Sequence, residues 1–369
     1  MSSGFSRAVC AAALLGWLAV AAAPAQPAAV ESVGMEQTVA PPPGPVAEQI
    51  RERIEQWRVA QADGATAAAP VAAVAAFYEQ NRFAPAWTRP DDLDQLLAAL
   101  RGMAADGLDP QDYALDELQR RRHVLDDPQA TAQQRAQFDL LATDACFTAL
   151  LHLYRGKVDP ATLDTHWNFD PRQLDQARGL QAVRDALAQD TIGELFARAR
   201  PQHPYYAQLR AALAKLRGVA AQGGWPVIAD GPTLKPGSHD PRVPTLRERL
   251  QRVGFAVGEG MDDLYAPALE AALKQFQREH YLVADGHLGK ATLAALNVPV
   301  TTRIEQLRAN LERARWLLHQ LQGEFVVVDI AGYQVVYYKD GKPVWRSRVQ
   351  VGKPYRSTPV FKSKITYLT

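Results

Sequence analysis

The chain has 369 residues, 47% apolar and 22% charged, a composition of folded globular protein long enough for two or three domains. Lys and Arg number 41 against 40 Asp and Glu, a net charge of +1, so there is no electrostatic footprint for nucleic acid or an acidic membrane surface. The two cysteines, Cys10 and Cys146, exclude a disulfide framework and a cysteine-based zinc site.

Residues 1–25 read as a secretory signal peptide. Arg7 is their one charge, Ala8 to Ala23 is an uninterrupted apolar run, and Ala23-Pro24-Ala25 fits a small-x-small cleavage site. The run has 16 residues, short for a spanning helix. The expectation is therefore secretion, with membrane contact only through the leader before cleavage. Cys10 opens the run, whereas a lipoprotein cysteine would follow it. Cleavage leaves Cys146 as the single thiol, so no intrachain disulfide can form.

Residues 26–49 are rich in Pro and Ala, with Pro41-Pro42-Pro43-Gly44-Pro45, and read as an extended linker, with ordered structure starting near Ile50. Residues 50–230 read as an all-α domain. Asp91 or Asp92 is expected to cap a helix whose Leu93, Leu96, Leu97 and Leu100 share a face, ended by Gly102. Phe138 to Tyr154, apolar almost all round, predicts a buried central helix. Tyr206, Leu209, Leu213 and Leu216 form a further stripe, stopped by Gly223-Gly224.

After a Gly/Pro-rich connection at Gly231 to Asp240, residues 240–298 read as a three-helix module. Val243, Leu246, Leu250 and Val253 mark the first helix, with Gly254 as its stop. Ala268, Leu269, Ala272, Leu273 and Phe276 mark the second, and Ala291 to Leu296 the third. Asp285-Gly286 signals a turn between the last two. A connecting helix over 301–322, started by Thr301 or Thr302, carries Ile304, Leu307, Leu311, Ala314 and Leu318 and ends at Gly323. From 324 to 369 the texture is β: Phe325 to Ile330, Gln334 to Tyr338, Val344 to Val351 and Val360 to Leu368, with Asp340-Gly341 as a hairpin turn. Four strands in so short a stretch leave an edge unpaired, so this segment is expected to open a domain whose remainder is absent. The fold class is thus multidomain and mainly α, followed by an incomplete β domain.

Catalytic signatures are few. There is no G-x-S-x-G, no serine followed three residues later by lysine, no H-E-x-x-H and no Walker loop, and the eight histidines form no ligand pair at helical spacing. No metal or cofactor is expected. Cys146, in Asp144-Ala145-Cys146-Phe147 within an apolar helix, has neither the access nor the base a reactive thiolate needs, and His152 is not at i+3 or i+4. No catalytic residue is assigned.

The segment from Leu273 to Leu293, LKQFQREHYLVADGHLGKATL, closely resembles the peptidoglycan-binding module of bacterial wall enzymes. The resemblance makes Phe276 and Leu293 core and has Asp285-Gly286 and Gly289 shape the loop before the last helix. It leaves Gln275, Arg278, Tyr281, Asp285 and His287 as candidates for touching glycan or stem peptide. Asp139 to Asp144, Tyr154-Arg155-Gly156-Lys157-Val158-Asp159-Pro160 with Trp167, and Gly223-Gly224-Trp225-Pro226 with Gly231-Pro232-Thr233-Leu234 resemble the helical scaffold of the large L,D-transpeptidases. Asn310 to Trp316 resembles the helix before that family's catalytic domain, and Val351 to Phe361 resembles the opening of that YkuD-type β domain.

The resemblance, running in order over residues 70–369, implies a periplasmic protein of cell-wall biogenesis and cell shape. The family attacks a tetrapeptide stem with cysteine, releases D-alanine and resolves the thioester with a diaminopimelate amine, giving a 3→3 cross-link. Its catalytic histidine and Ser-His-Gly-Cys segment do not occur in residues 1–369, so this chain is expected to be inactive by itself. Ser363, Thr366 and Tyr367 are implied to approach the family's substrate cleft. The alternative is a non-catalytic peptidoglycan-binding scaffold that localises other cell-wall enzymes.

Overall fold

Twelve α-helices and a three-stranded antiparallel sheet succeed one another in a computed structural model that describes residues 44–62, 69–163, 167–260, 262–353, 355–356 and 358–366. The stretch expected to be a leader and the Pro-rich run before Gly44 lie outside the described residues. Among the described residues, no helix is long and apolar enough to cross a membrane.

The first helix, α1 (Pro45–Ala62), begins inside the stretch expected to be linker. Proline at the first helical position has its φ already set and no N–H to leave unpaired. Ala47, Ile50 and Ile54 then bury a stripe, which holds residues 45–49 in the fold. Next come α2 (Ala69–Gln80) and α3 (Pro90–Gly102). Neither Asp91 nor Asp92 caps α3. Pro90 takes the first position, so Arg89 becomes the cap, and its guanidinium Nε meets the buried Asp92 carboxylate at 2.7 Å. After α4 (Leu115–Arg121), the expected central helix is α5 (Ala132–Arg155), which starts six residues before the apolar run. A capping box sets that start: Gln134 N–H donates to Thr131 Oγ1 at 3.2 Å, and Thr131 N–H to Gln134 Oε1 at 2.8 Å. With α6 (Gln176–Gln189) and α7 (Ile192–Ala199), these helices enclose one core running from Ile50 to Phe196.

Asp139 is buried in that core. It accepts the backbone N–H groups of Ala86 and Trp87, each at 2.8 Å, and the Tyr78 hydroxyl at 2.5 Å. Thr143 Oγ1 accepts the Trp87 indole N–H at 2.9 Å. One carboxylate on α5 thus satisfies the backbone of the α2–α3 loop, whose buried N–H groups would otherwise have no partner.

The next helix, α8 (Pro204–Ala221), packs on the last one, α12 (Val300–Leu317), through Tyr206, Leu209, Leu213, Leu311, Ala314 and Leu318. The connecting helix is therefore a structural member of the scaffold. It starts at Val300 with Pro299 as cap, not at Thr301 or Thr302, because the rigid proline and the buried Val300 fix the entry of the chain. A buried ionic joint locks it. Asp106 is fully buried; its carboxylate meets Arg200 Nε at 2.9 Å and Arg210 Nε at 3.0 Å. Arg315 Nη1 of α12 donates to the Asp106 carbonyl at 3.0 Å and to the Tyr206 hydroxyl at 2.9 Å.

Between them, α9 (Val243–Arg252), α10 (Pro267–Glu279) and α11 (Lys290–Leu296) form a separate small core around Leu246, Leu250, Tyr265, Leu273, Phe276 and Leu296. In the sheet, β1 (Phe325–Asp329) pairs with β2 (Gln334–Lys339), and β2 with β3 (Lys342–Arg348). Asp340 and Gly341, at φ 50° and 72°, make the tight turn that Asp-Gly predicts. The fourth expected strand is not formed over residues 360–366; the rest of it lies outside the described residues. There, Lys362 N–H donates to Asn168 Oδ1 at 3.0 Å and its carbonyl accepts from Asn168 Nδ2 at 3.4 Å. A scaffold carboxamide occupies the backbone groups that a neighbouring strand would otherwise pair.

Candidate functional site

The loop from Asp285 to Gly289 joins α10 to α11 and is built around Gln277. This side chain is fully buried. Its Nε2 lies 3.0 Å from Asp285 Oδ1, 3.0 Å from the His287 carbonyl and 3.1 Å from Thr292 Oγ1, and its Oε1 accepts the Gly286 N–H at 2.9 Å. Tyr265 adds a hydroxyl bond to the Gly286 carbonyl at 2.6 Å. Gly286 has φ +75°, and a Cβ there would lie 2.9 Å from Glu270 Cγ, so only glycine fits. Paired N–H and C=O bonds between Leu234 and Leu288 close the other side, at 3.0 and 3.3 Å.

This frame presents Asp285 and His287 together at the surface. Asp285 Oδ1 accepts the His287 N–H at 2.8 Å, and His287 Nδ1 stands 3.7 Å from Asp285 Oδ2. The Asp285 carboxyl is held below the usual range, first by that backbone N–H and then by the Gln277 amide. Gln275 and Arg278 lie three apart on the exposed face of α10, and Gln275 Nε2 donates to Glu279 at 2.9 Å. Tyr281 is engaged with a different element. It follows α10 in the left-handed region, at φ +56°, and its hydroxyl donates to Asp329 Oδ2 at the end of β1, 3.2 Å away. Phe276 is buried, Leu293 nearly so, and Gly289 caps α11, in the roles assigned to them.

Gln277 was not singled out from sequence, although its signal was present: a polar residue adjoining Phe276 on the inward face of α10. Trp225 has a similar part. Its ring lies 3.7 Å from the Arg249 guanidinium carbon, and its indole N–H donates to the Val298 carbonyl at 3.1 Å. Arg249 Nε donates to the Leu296 carbonyl at 2.8 Å, and burial, helped by Arg303, brings its pKa down to about 10.

Cys146 is completely buried in α5, and burial pushes its thiol up to about 12, the opposite of what a nucleophile needs. His152 bonds elsewhere, with Nδ1 3.1 Å from the Tyr113 hydroxyl. Ser363 and Thr366 are exposed beyond Lys362; Tyr367 lies outside the described residues. Among the described residues, no group of three His, Cys, Asp or Glu side chains is arranged to hold a metal ion.

Three family models match successive parts of the chain: a scaffold domain over residues 72–213, a peptidoglycan binding domain over 239–296, and an L,D-transpeptidase catalytic domain over 323–369. No curated protein matches. The helical body, the three-helix module and the terminal sheet coincide with these matches, and together they define an L,D-transpeptidase-like protein associated with peptidoglycan. The three matches follow one another in that order, with the catalytic-domain match at the C-terminal end of the chain.

Proposed function

We propose that this protein is exported to the periplasm by the leader at residues 1–25 and serves the formation of 3→3 cross-links in peptidoglycan. The order of scaffold, wall-binding and catalytic matches along one chain carries this reading. In the reaction proposed, a cysteine thiolate attacks the stem-peptide carbonyl and D-alanine leaves as the amine. A diaminopimelate amine from a neighbouring stem then displaces the thiolate, forming the new amide. Covalent catalysis of this kind splits one hard amide exchange into two easier steps.

Residues 1–369 do not supply that thiolate. Cys10 belongs to the leader, Cys146 is sealed in the scaffold core, and no Ser-His-Gly-Cys segment occurs. The 369-residue polypeptide is therefore proposed to bind wall without cross-linking it. Incubated with purified tetrapeptide muropeptides, it should give no 3→3 dimers by mass spectrometry; dimers would refute this. It should co-sediment with purified sacculi above an unrelated control protein, and failure to do so would remove the wall-binding assignment.

The alternative reading is a non-catalytic binder that localises other wall enzymes. Intact mass of the protein from its host separates the two. A longer product carrying the histidine and Ser-His-Gly-Cys segment supports the enzyme; a product ending at Thr369 supports the binder.

A further inference from the structure

Tyr281 and Asp329 meet across the boundary between the peptidoglycan binding domain and the L,D-transpeptidase segment, and the contact is built from both sides. On the module side, Tyr281 holds a left-handed backbone, φ +56°, which costs a bulky residue about 1 kcal/mol or more and which Gly or Asn would adopt more easily. Its N–H, 3.3 Å from the Arg278 carbonyl, closes the end of α10. From this position the phenol reaches the sheet at Asp329.

On the sheet side, Asp329 divides its two oxygens. Oδ1 accepts the Gly332 N–H at 2.9 Å and fixes the β1–β2 turn; Oδ2 accepts the Tyr281 hydroxyl at 3.2 Å. The turn bond therefore holds the carboxylate in the orientation in which it meets the tyrosine. Gly332 completes the fit: a Cβ there would fall 2.8 Å from Tyr281 Cζ and inside contact distance of the Asp329 carboxylate.

We propose that Tyr281 is a docking residue that seats the wall-binding module on the first hairpin of the L,D-transpeptidase segment, so that module and sheet keep a fixed mutual orientation at the Tyr281–Asp329 junction. The inference stands on this geometry and does not require the reading of function above. It separates the role of Tyr281 from those of Gln275, Arg278, Asp285 and His287, which stay as the candidates for wall ligands.

The test uses the chain without its leader, in wild-type, Tyr281→Phe, Gly332→Ala and Arg278→Ala forms. Each is measured by hydrogen exchange over residues 329–334 and by co-sedimentation with sacculi. Tyr281→Phe removes one hydroxyl and keeps the ring, so it should fold. It should speed exchange of the turn amides about threefold, as expected for loss of one half-exposed bond, and leave co-sedimentation unchanged. Gly332→Ala should speed the same amides at least tenfold, while exchange of α10 and α11 stays as in wild type. Arg278→Ala should leave the turn amides unchanged. The proposal is overturned if Tyr281→Phe leaves turn exchange unaltered. It is equally overturned if that variant loses sacculus binding several-fold, which would make Tyr281 a wall contact. If wild type itself fails to co-sediment, only the functional reading falls, and the exchange result still decides the docking role.

Discussion

Replacing Arg315 with methionine tests whether the buried ionic joint holds α12 on the scaffold. Arg315 is 1% exposed, so its bonds are made without help from water. Nη1 serves the Asp106 carbonyl and the Tyr206 hydroxyl, while Nε reaches Glu312 at 3.2 Å. Methionine fills much of the same volume, so the loss is mainly polar. The Asp106 carbonyl loses its buried donor, at about 1–3 kcal/mol. The Asp106 carboxylate keeps Arg200, Arg210 and the Tyr206 hydroxyl, and is not left bare. Glu312 is 14% exposed and keeps the Val158 N–H at 2.9 Å, so hydration offsets part of its lost partner. Breaking a fully buried pair costs about 3–5 kcal/mol, and these remaining partners place Arg315→Met at the lower end, about 3 kcal/mol. A multidomain chain has no single unfolding free energy, so the assay is native-state hydrogen exchange of α12. About 3 kcal/mol corresponds to exchange roughly a hundredfold faster there, with α9 to α11 unchanged. Protection of α12 within about threefold of wild type would refute the argument. Tyr206→Phe in the same background should combine non-additively, by about 1 kcal/mol, because both side chains meet at one hydroxyl.

Gln277→Leu should destabilise the wall-binding module by about 2–4 kcal/mol, because it leaves the buried Gly286 N–H and Thr292 hydroxyl without the amide they share; exchange across residues 285–289 measures it, and the Asp285 carboxyl should titrate nearer its ordinary range. Asp139 carries a pH signature: burial raises its folded pKa above 3.8, so the folded state binds that proton more tightly and this contribution to stability is full below 3.8 and lost as pH rises through the folded pKa. The difference in scaffold stability between wild type and Asp139→Asn should follow that slope in urea titrations between about pH 3 and 7, and a flat difference would count against it. Asn168→Ala should release the Lys362 amide to exchange several-fold faster, while Asn168→Asp, which keeps the acceptor for that N–H, should retain most of its protection.

The helices were legible wherever burial writes a period into the chain. Leu93, Leu96, Leu97 and Leu100 are all buried, and so are Val243, Leu246 and Leu250, because an i, i+3, i+4, i+7 stripe has few other ways to leave water. Helix starts were less legible. At Pro90 and Pro299 proline sets the boundary, whereas the sequence reading points to Asp91 or Asp92 and to Thr301 or Thr302; at Pro45 it starts a helix inside a stretch that reads as linker. The failed fourth strand has a different cause. Val360, Phe361 and Ile365 suit a pleated surface, but a strand needs a partner for its backbone, and composition cannot name that partner. In this structure the partner of Lys362 is Asn168, 194 residues earlier, in a loop with no regular pattern.

The same limit governs the candidate site. Asp285-Gly286 could be read as a turn because its chemistry is local; Gln277, which holds that turn, is eight residues away from Asp285, and its importance lies in being polar where the helix faces inward. Tyr281 could be read as exposed and aromatic, and it is 55% exposed, yet its hydroxyl is engaged with Asp329, 48 residues on. Exposure alone therefore does not make an aromatic residue of this module a wall contact. The residues with uncommitted polar atoms at the module surface, Arg278 and His287 first among them, are the better places to look for bound glycan or stem peptide. Tyr281 belongs to the joint that decides where those residues point relative to the sheet.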